Sequence, residues 1–396
     1  MRRIVAGFLF LIATTGLVLA IVARTGLPMR ALPPPEGFLI GAVNGIATDP
    51  SRSDLFSGAA QRVVPFQILY PAASPGVPSL YVPDAGAVVD ALSASHGWIF
   101  RVLLGQIGTA AAPWTDAGEP AASGPFPVII SLPGVTGYMQ MGSYQTTALA
   151  AQGFVVVTLN QPGAVAAAVM PDGQIVTGLN RENAVSLVAP SYRTTGRALP
   201  DDFAEKMAPG LSIVPYFAAD VPLVLDRLAR FNADPQHILH GMLDLDRVGV
   251  MGMSLGAIVT AQACASEDRI DACLMMDAPV PAAVAASGLR QPALWISLSA
   301  DDQRLERAAS GGWPEEEISA QAKTVADALS NSEHGEFAEL QGLFHVDFTD
   351  LPAVQPVLGW FGQSISPIFR QFSPFWDGLG NPEQQGSSRR TDRSTN

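Results

Sequence analysis

The sequence predicts an α/β protein whose mostly parallel central sheet has helices on both faces. Short apolar runs, such as residues 128–132, 154–159 and 247–251, alternate with helical patterns. Strands that are apolar throughout are typical of a parallel sheet, because the crossover helices cover it from both sides. The chain has 396 residues, which is enough for one large domain with a sizeable core. We expect that domain to extend over residues 28–377.

The predicted elements follow one another along the chain with turns between them. Strands are expected at residues 66–70, 128–132, 154–159, 247–251, 270–276, 293–299 and 336–341. Helices are expected near residues 86–105, 143–152, 216–231, 254–265 and 315–329. Residues 160–209 show no clear period. Together with the aromatic segment around residues 369–376, they are candidates for a lid or for the walls of a substrate site.

The N-terminal segment predicts attachment to a membrane or export across one. Arg2 and Arg3 precede an uncharged apolar run over residues 4–23. A membrane-spanning helix needs about 20 residues, whereas the core of a signal peptide usually has about 7–15. We expect residues 1–27 to be a retained membrane anchor, with a cleaved signal as the alternative. Both place the protein body outside the cytoplasm, either in the cell envelope or secreted. The polar tail at residues 378–396 is expected to be disordered.

Charge and cysteine content argue against several partners. The chain carries 23 Lys and Arg against 36 Asp and Glu, which gives a formal charge of −13. Such an acidic surface repels phosphate backbones, so no nucleic-acid partner is expected. The two cysteines, Cys264 and Cys273, form no CxxC or Cys/His cluster that would indicate a metal site. No metal or cofactor is expected. Both cysteines fall in apolar runs and are expected to be buried free thiols, although export could oxidise them.

Ser254 lies in a G-x-S-x-G motif between a predicted strand and a predicted helix. The motif is Gly252-Met-Ser-Leu-Gly256. In the nucleophile turn of the α/β-hydrolase fold, flanking glycines let strand and helix pass closely and expose the serine hydroxyl at the carboxyl end of the sheet. The helix N-terminus then points at the anion that develops when the serine attacks. Ser254 is therefore the predicted nucleophile, and the backbone N–H of Leu255 is a predicted oxyanion donor.

The base and the acid of such a site follow the nucleophile along the chain. His334 and His345 are the two histidines beyond Ser254. His345 directly follows the last predicted strand, where an imidazole can reach back over the sheet, so we expect it to be the general base. Asp277 and Asp301 each end a strand and are both candidates for the acid. Spacing alone favours Asp301 slightly.

The chain resembles the secreted, α/β-hydrolase type of platelet-activating factor acetylhydrolase and its bacterial relatives, from about residue 66 to residue 352. Four stretches carry the resemblance: Ile-Leu-Tyr70-Pro71-Ala, Pro127-Val-Ile-Ile-Ser-Leu-Pro-Gly134, the Gly252–Gly256 motif and the His345-x-x-Phe348-x-Asp350 ending. The last is the most specific of the four.

This resemblance implies a choice of acid and a second oxyanion donor. The family takes its acid from the strand directly after the nucleophile helix, which favours Asp277 over Asp301. The backbone N–H that follows the family's His-Gly pair contributes to the oxyanion hole, and that position is Val135 here. The family's histidines are replaced by Pro133 and Met253. The pocket wall is therefore expected to be more apolar than in the better-known members.

We expect a serine hydrolase that cleaves carboxylic esters through Ser254, His345 and Asp277. The resemblance implies lipid-like esters, such as short-acyl or oxidised phospholipids, with the N-terminal helix holding the protein at the membrane. Two alternatives remain open. One is a polyester or triacylglycerol hydrolase of the same fold, and the other is a hydrolase-fold protein that binds without catalysis.

Overall fold

The computed structural model describes residues 24–193 and 212–358, together with Thr14, Thr15, Leu17, Val22, Phe375 and Trp376. Within these residues, no helix combines the length and the apolar character that crossing a bilayer requires. Most of the apolar run at residues 4–23 and the whole tail at residues 378–396 lie outside the described residues. The expectations about an anchor and a disordered tail therefore remain predictions.

Thirteen strands form within the described part of the chain. They are β1 Leu39–Asp49, β2 Arg62–Ser74, β3 Val77–Leu80, β4 Ala111–Asp116, β5 Glu119–Pro120, β6 Phe126–Leu132, β7 Val155–Leu159, β8 Ala167–Val169, β9 Ile175–Thr177, β10 Leu243–Met253, β11 Ala272–Met276, β12 Ala293–Leu298 and β13 Gly335–Leu340.

The helices alternate with these strands. They are α1 Ala85–His96, α2 Ile99–Leu104, α3 Ser143–Ala151, α4 Arg181–Val188, α5 Val214–Ala218, α6 Asp220–Ala233, α7 Leu255–Ser266, α8 Ala282–Ser287, α9 Ala300–Ser310, α10 Glu315–Asn331 and α11 Leu351–Val354. Short 3-10 turns occur at Ile107–Thr109, Ala189–Ser191 and His345–Phe348.

Most strands belong to one large sheet. Its order is β13-β12-β11-β10-β6-β7-β2-β1-β4-β3, and β5 pairs with β2. The six strands from β13 to β7 are parallel to their neighbours. β2 is antiparallel to β7, and β1 is antiparallel to β2 over its whole length. The carboxyl ends of β10, β11, β12 and β13 therefore meet along one edge, where the connecting loops can bring side chains together.

Successive side chains of the central strands face two separate cores. In β6, Val128 and Ile130 belong to one core and Ile129 to the other. The first core is closed by α4 to α8 and by α10, and the second by α1, α3 and the segment that follows residue 343. The mixed α/β architecture with helices on both faces of a mostly parallel sheet is as the sequence predicts, because strands buried on both faces are apolar throughout.

The structure adds several elements to the predicted set. β1 pairs with β2, and α9 fills the connection after β12. The stretch at residues 160–209 is only partly irregular, because β8, β9 and α4 form within it. Residues 194–211 of that stretch lie outside the described residues. In the C-terminal aromatic segment, Trp376 is fully buried in the second core.

The expectation of free thiols was wrong. Cys264 on α7 and Cys273 on β11 are joined by a disulfide. Both residues are buried, as the apolar runs around them indicate. The bridge ties the helix that begins at Ser254 to the strand that ends before Asp277.

A buried ionic cluster joins the β1–β2 connection to α6. The guanidinium of Arg62 is fully buried and lies 2.8 Å from Asp54 and 2.7 Å from Asp220. Arg52 binds the other oxygen of Asp220 at 2.8 Å. Since two carboxylates converge on Arg62, removal of that side chain would leave both of them buried without their main counter-charge.

Candidate active site

Ser254 occupies the sharp turn between β10 and α7. Its φ is 57° and its ψ is −123°, a conformation that few side chains tolerate. A Cβ added to Gly252 would lie 2.2 Å from the carbonyl of Gly256, and one added to Gly256 would lie 2.1 Å from the carbonyl oxygen of Leu132. Both glycines are therefore required for the turn. The backbone N–H of Ser254 donates to the Met276 carbonyl at 2.9 Å, so the serine lies beside the end of β11.

Asp277 follows β11 and is held from two sides. Its φ is 51°, and its side chain is buried. Oδ1 accepts hydrogen bonds from Leu298 N at 3.2 Å and from Gln321 Nε2 at 2.9 Å. Oδ2 lies 2.6 Å from Nδ1 of His345. The carboxylate is thus aimed at the imidazole by donors from β12 and α10.

His345 begins the 3-10 turn His345–Phe348, which we call the histidine turn. Its side chain is 19% exposed. Its backbone N–H donates to Oε2 of Glu306 at 3.2 Å. Burial lowers the pKa of His345, but the hydrogen bond and charge of Asp277 and the charge of Glu306 raise it more, so the net pKa lies above the usual 6.5. The pair favours an imidazole that carries its proton on Nδ1 and leaves Nε2 free to accept one.

The other acid and histidine candidates lie on the surface. Asp301 stands in the first turn of α9 with its side chain 90% exposed, where it pairs with Arg304 at 2.9 Å. His334 is 61% exposed. The slight preference for Asp301 that spacing gave is not what the geometry favours: Asp277 is the acid candidate that meets His345. The reason is that α9 begins directly after β12 and turns Asp301 outwards.

The loop at residues 133–142 passes over Ser254. A Cβ added to Gly134 would lie 3.1 Å from Cβ of Ser254, so a larger residue would fit only if the loop or the serine shifted by a few tenths of an ångström. Thr136 has a φ of 56° and donates its N–H to Ala164 at 2.9 Å. In the described part of the chain, the backbone N–H groups of Val135 and Leu255 donate to no protein acceptor. Both residues also line one cleft together with Ser254.

A mainly apolar cleft opens beside Ser254. Its walls come from the predicted site residues Val135, Leu255 and Asp277 and from apolar side chains that include Val185, Val188, Ile258, Ala278, Pro279 and Trp313. Trp313 stands edge-on to the ring of His345, with 6.1 Å between the ring centroids. One wall is polar: Glu317 accepts a hydrogen bond from Tyr192 at 2.7 Å and is neutralised by Arg193. The wall is thus mainly apolar, and the comparison with the better-known members of the resembled family stays a prediction.

Several residues of this site were missed by sequence reasoning. Gln321 orients Asp277, Glu306 holds the backbone of His345, and Trp313 forms a wall next to the imidazole. They come from α9, α10 and the connection between them, and no motif marks them. Their only sequence signal is position, since they follow the strand that leads into α9.

These observations define the molecule as a mixed α/β protein with a serine in a sharp turn after β10 and a hydrogen-bonded aspartate–histidine pair in the segments that follow β11 and β13. The chain matches no protein-family model, and no curated protein sequence matches it significantly. Among solved structures it is similar to a ferulic acid esterase from Streptomyces cinnamoneus, with a TM-score of 0.64 and 20% sequence identity. The match covers 91% of this chain and 97% of that one. It shows that the two proteins share a fold.

Proposed function

We propose that this protein is a serine carboxylic ester hydrolase of the α/β-hydrolase fold. The observation that carries the proposal is the Asp277–His345 pair at 2.6 Å. Ser254 supports it, because it occupies a strained turn and donates its N–H to the carbonyl of Met276, directly before Asp277. The fold shared with an esterase supports the same class of reaction.

In this mechanism each side chain has one role. Ser254 attacks the ester carbonyl while Nε2 of His345 takes its proton, and Asp277 stabilises the imidazolium that forms. The imidazolium then gives that proton to the leaving alcohol, and an acyl-serine remains. Water attacks the acyl-serine with His345 again as base, which releases the acid and restores Ser254.

The N–H groups of Val135 and Leu255 would stabilise the tetrahedral intermediate. Each is a fixed backbone donor with no protein acceptor among the described residues, so neither must give up another bond when the oxyanion forms. A single donor of this kind is worth about 3–4 kcal/mol of barrier. Replacement of the family's histidines by Pro133 and Met253 leaves both backbone donors in place.

The cleft favours esters with a compact apolar group next to the carbonyl. Most of its lining is aliphatic, Trp313 adds an aromatic wall, and Glu317 on the polar wall is neutralised by Arg193. Arg181 donates to the carbonyls of Gly311 and Gly312 and lies 4.6 Å over the Trp313 ring. Both arginines are thus engaged within the protein. We therefore expect a charged head group, such as that of a short-acyl or oxidised phospholipid, to lie outside the cleft.

A second candidate substrate is an aromatic acid ester. The similar solved structure is named a ferulic acid esterase, and Trp313 offers a flat wall next to His345. The hydroxyl of Tyr192 and the carboxylate of Glu317 would face a phenolic substituent at the polar wall. Polyester and triacylglycerol hydrolysis are further alternatives, which differ in the length of chain that the cleft must admit.

The test is turnover of a set of nitrophenyl esters by the purified protein. Acetate and butyrate esters represent compact acyl groups, decanoate a long one and ferulate an aromatic one. We expect Ser254→Ala to abolish turnover and labelling by a fluorophosphonate. The matched control is Ser266→Ala, which removes a surface serine at the other end of α7. No turnover of any ester, or equal turnover by Ser254→Ala, would overturn the proposal.

We also propose that the catalytic body works outside the cytoplasm, held at a membrane by its N-terminal segment. The apolar run after Arg2 and Arg3 supports this, and so does the Cys264–Cys273 disulfide, since such bonds persist in oxidising compartments. Fractionation of cells that express the full chain, followed by protease treatment of the intact cells, tests the location.

A further inference from the structure

Asp350 lies five residues beyond His345 and is fully buried. Its Oδ2 accepts hydrogen bonds from Ser143 N at 2.7 Å and from the Tyr81 hydroxyl at 2.8 Å, and its Oδ1 accepts one from Tyr144 N at 3.0 Å. No Lys, Arg or His side chain pairs with it within residues 24–193 and 212–358. Burial raises the pKa of Asp350 to about 7, against the effect of these hydrogen bonds. The three hydrogen bonds hold the buried carboxylate in one position.

The two N–H donors belong to the first turn of α3. Asp350 therefore caps the helix from a distant part of the chain, and its charge lies at the positive end of the helix. The 133–142 loop ends where α3 begins, so this contact fixes the far end of the loop that crosses Ser254. The near end is fixed by β6, and the middle by the bond from Thr136 N to Ala164.

Two further bonds join the same segments. The N–H of Asp350 donates to the Met141 carbonyl at 2.8 Å, and Gln145 Nε2 donates to the Phe348 carbonyl at 3.0 Å. Tyr81, which binds the carboxylate, also lies 2.9 Å from the Gln140 carbonyl. The histidine turn and the 133–142 loop are thus connected through one buried carboxylate and its immediate neighbours.

We propose that Asp350 is a positioning residue that sets the oxyanion donor on the 133–142 loop at a fixed distance from His345. The inference rests on the proposed function, because it assigns Val135 N–H and His345 to one reaction. Asp350 touches neither the substrate nor the imidazole. It acts by fixing two segments that must meet the same tetrahedral intermediate.

The experiment compares Asp350→Asn and Tyr81→Phe with the wild-type full chain. Asparagine keeps the shape but loses one acceptor, and phenylalanine removes only the hydroxyl. We expect kcat of Asp350→Asn to fall about 10- to 100-fold, in line with a displacement of about 1 Å in the site, while KM stays within twofold. The rate of fluorophosphonate labelling of Ser254 should fall in the same proportion. Tyr81→Phe should show the same pattern more weakly.

The control is Tyr70→Phe, which deletes an equally buried hydroxyl that donates to the Gly118 carbonyl. It should lower thermal stability but leave kcat unchanged. Amide hydrogen exchange gives a readout that does not depend on activity. In Asp350→Asn, the amides of residues 133–144 and those of residues 345–350 should both exchange at least tenfold faster than in the wild type. Wild-type kcat in both Asp350→Asn and Tyr81→Phe, or an equal loss in Tyr70→Phe, overturns the inference. Turnover absent from the wild type would instead refute the proposed function, and the exchange rates would still decide whether Asp350 fixes the two segments.

Discussion

Replacing Asp277 by asparagine exchanges one oxygen for an NH2 group, and the structure determines which way the new amide must face. Oδ1 receives two donors, Leu298 N and Gln321 Nε2. The backbone donor cannot turn away, so the amide oxygen must take this place. The NH2 group then faces Nδ1 of His345, at the position where Oδ2 now lies 2.6 Å away. Nδ1 must accept this hydrogen bond, and the imidazole proton moves to Nε2.

An imidazole protonated on Nε2 cannot accept the proton of Ser254. The equivalent change in a serine protease triad lowers kcat about 10⁴-fold, or about 5.5 kcal/mol of barrier. We expect a loss of this order in nitrophenyl butyrate turnover, with KM changed far less than kcat because Asp277 acts on the reaction through His345. Circular dichroism and thermal unfolding show whether the variant folds like the wild type.

Asp301→Asn is the matched control for this variant. It makes the same chemical change on a side chain that is 90% exposed, so kcat should stay within twofold of the wild-type value. The reasoning is refuted if folded Asp277→Asn keeps more than a tenth of the wild-type kcat, or if Asp301→Asn shows the larger loss.

Two further predictions concern pH and stability. The kcat/KM should fall at low pH with an apparent pKa above 6.5, because protonated His345 cannot act as base and its pKa is raised. Glu306→Gln removes one of the charges that raise this pKa, so the acid limb of the pH profile should move to lower pH. A limb that does not move would contradict the assigned cause. Arg62→Ala should lower the free energy of unfolding in urea by about 3–5 kcal/mol, because it leaves the buried carboxylate of Asp54 without its ion-pair partner and that of Asp220 with Arg52 alone. Arg290→Ala, which breaks an exposed ion pair, should change it by less than about 0.5 kcal/mol, and equal effects would refute the role of burial.

The central strands were predictable because their sequence is mostly apolar on both faces, which is typical of a sheet covered on both sides. β1 was not predictable in this way, since it contains Gly41 and Gly45, which have low strand propensity. In the structure, a Cβ built on Gly41 would lie 2.5 Å from the ring of Tyr70 on β2. One built on Gly45 would lie 2.3 Å from the ring of Phe66 on the same strand. The glycines make room for cross-strand rings, and that reason becomes visible only when the partner strand is known.

α9 was missed for a different reason. It has few apolar residues. Among the described side chains of α9, the buried one is that of the polar residue Gln303. Its ends carry ordinary signals: Ser299 accepts a hydrogen bond from Asp302 N at 3.1 Å, and Gly311 has a φ of 75°. The absence of an apolar face outweighed these signals. The misplaced preference for Asp301 followed from this. Without α9, Asp301 appeared to lie directly at the end of a strand, where the acid of such a site is expected, whereas it lies in the first turn of a surface helix.

The sequence by itself determined the nucleophile turn, because that turn depends on neighbours two residues away: Gly252 and Gly256 must be glycine for β10 and α7 to pass Ser254. It also determined the layered α/β architecture, because a strand buried on both faces can be recognised from a run of consecutive apolar residues. Only the tertiary structure decided which carboxylate meets His345, since Asp277 lies 68 residues away from it along the chain. The same holds for Asp350 and α3, which are in contact although more than 200 residues separate them along the chain. Contacts of this range depend on the order of strands in the sheet, which no local pattern encodes.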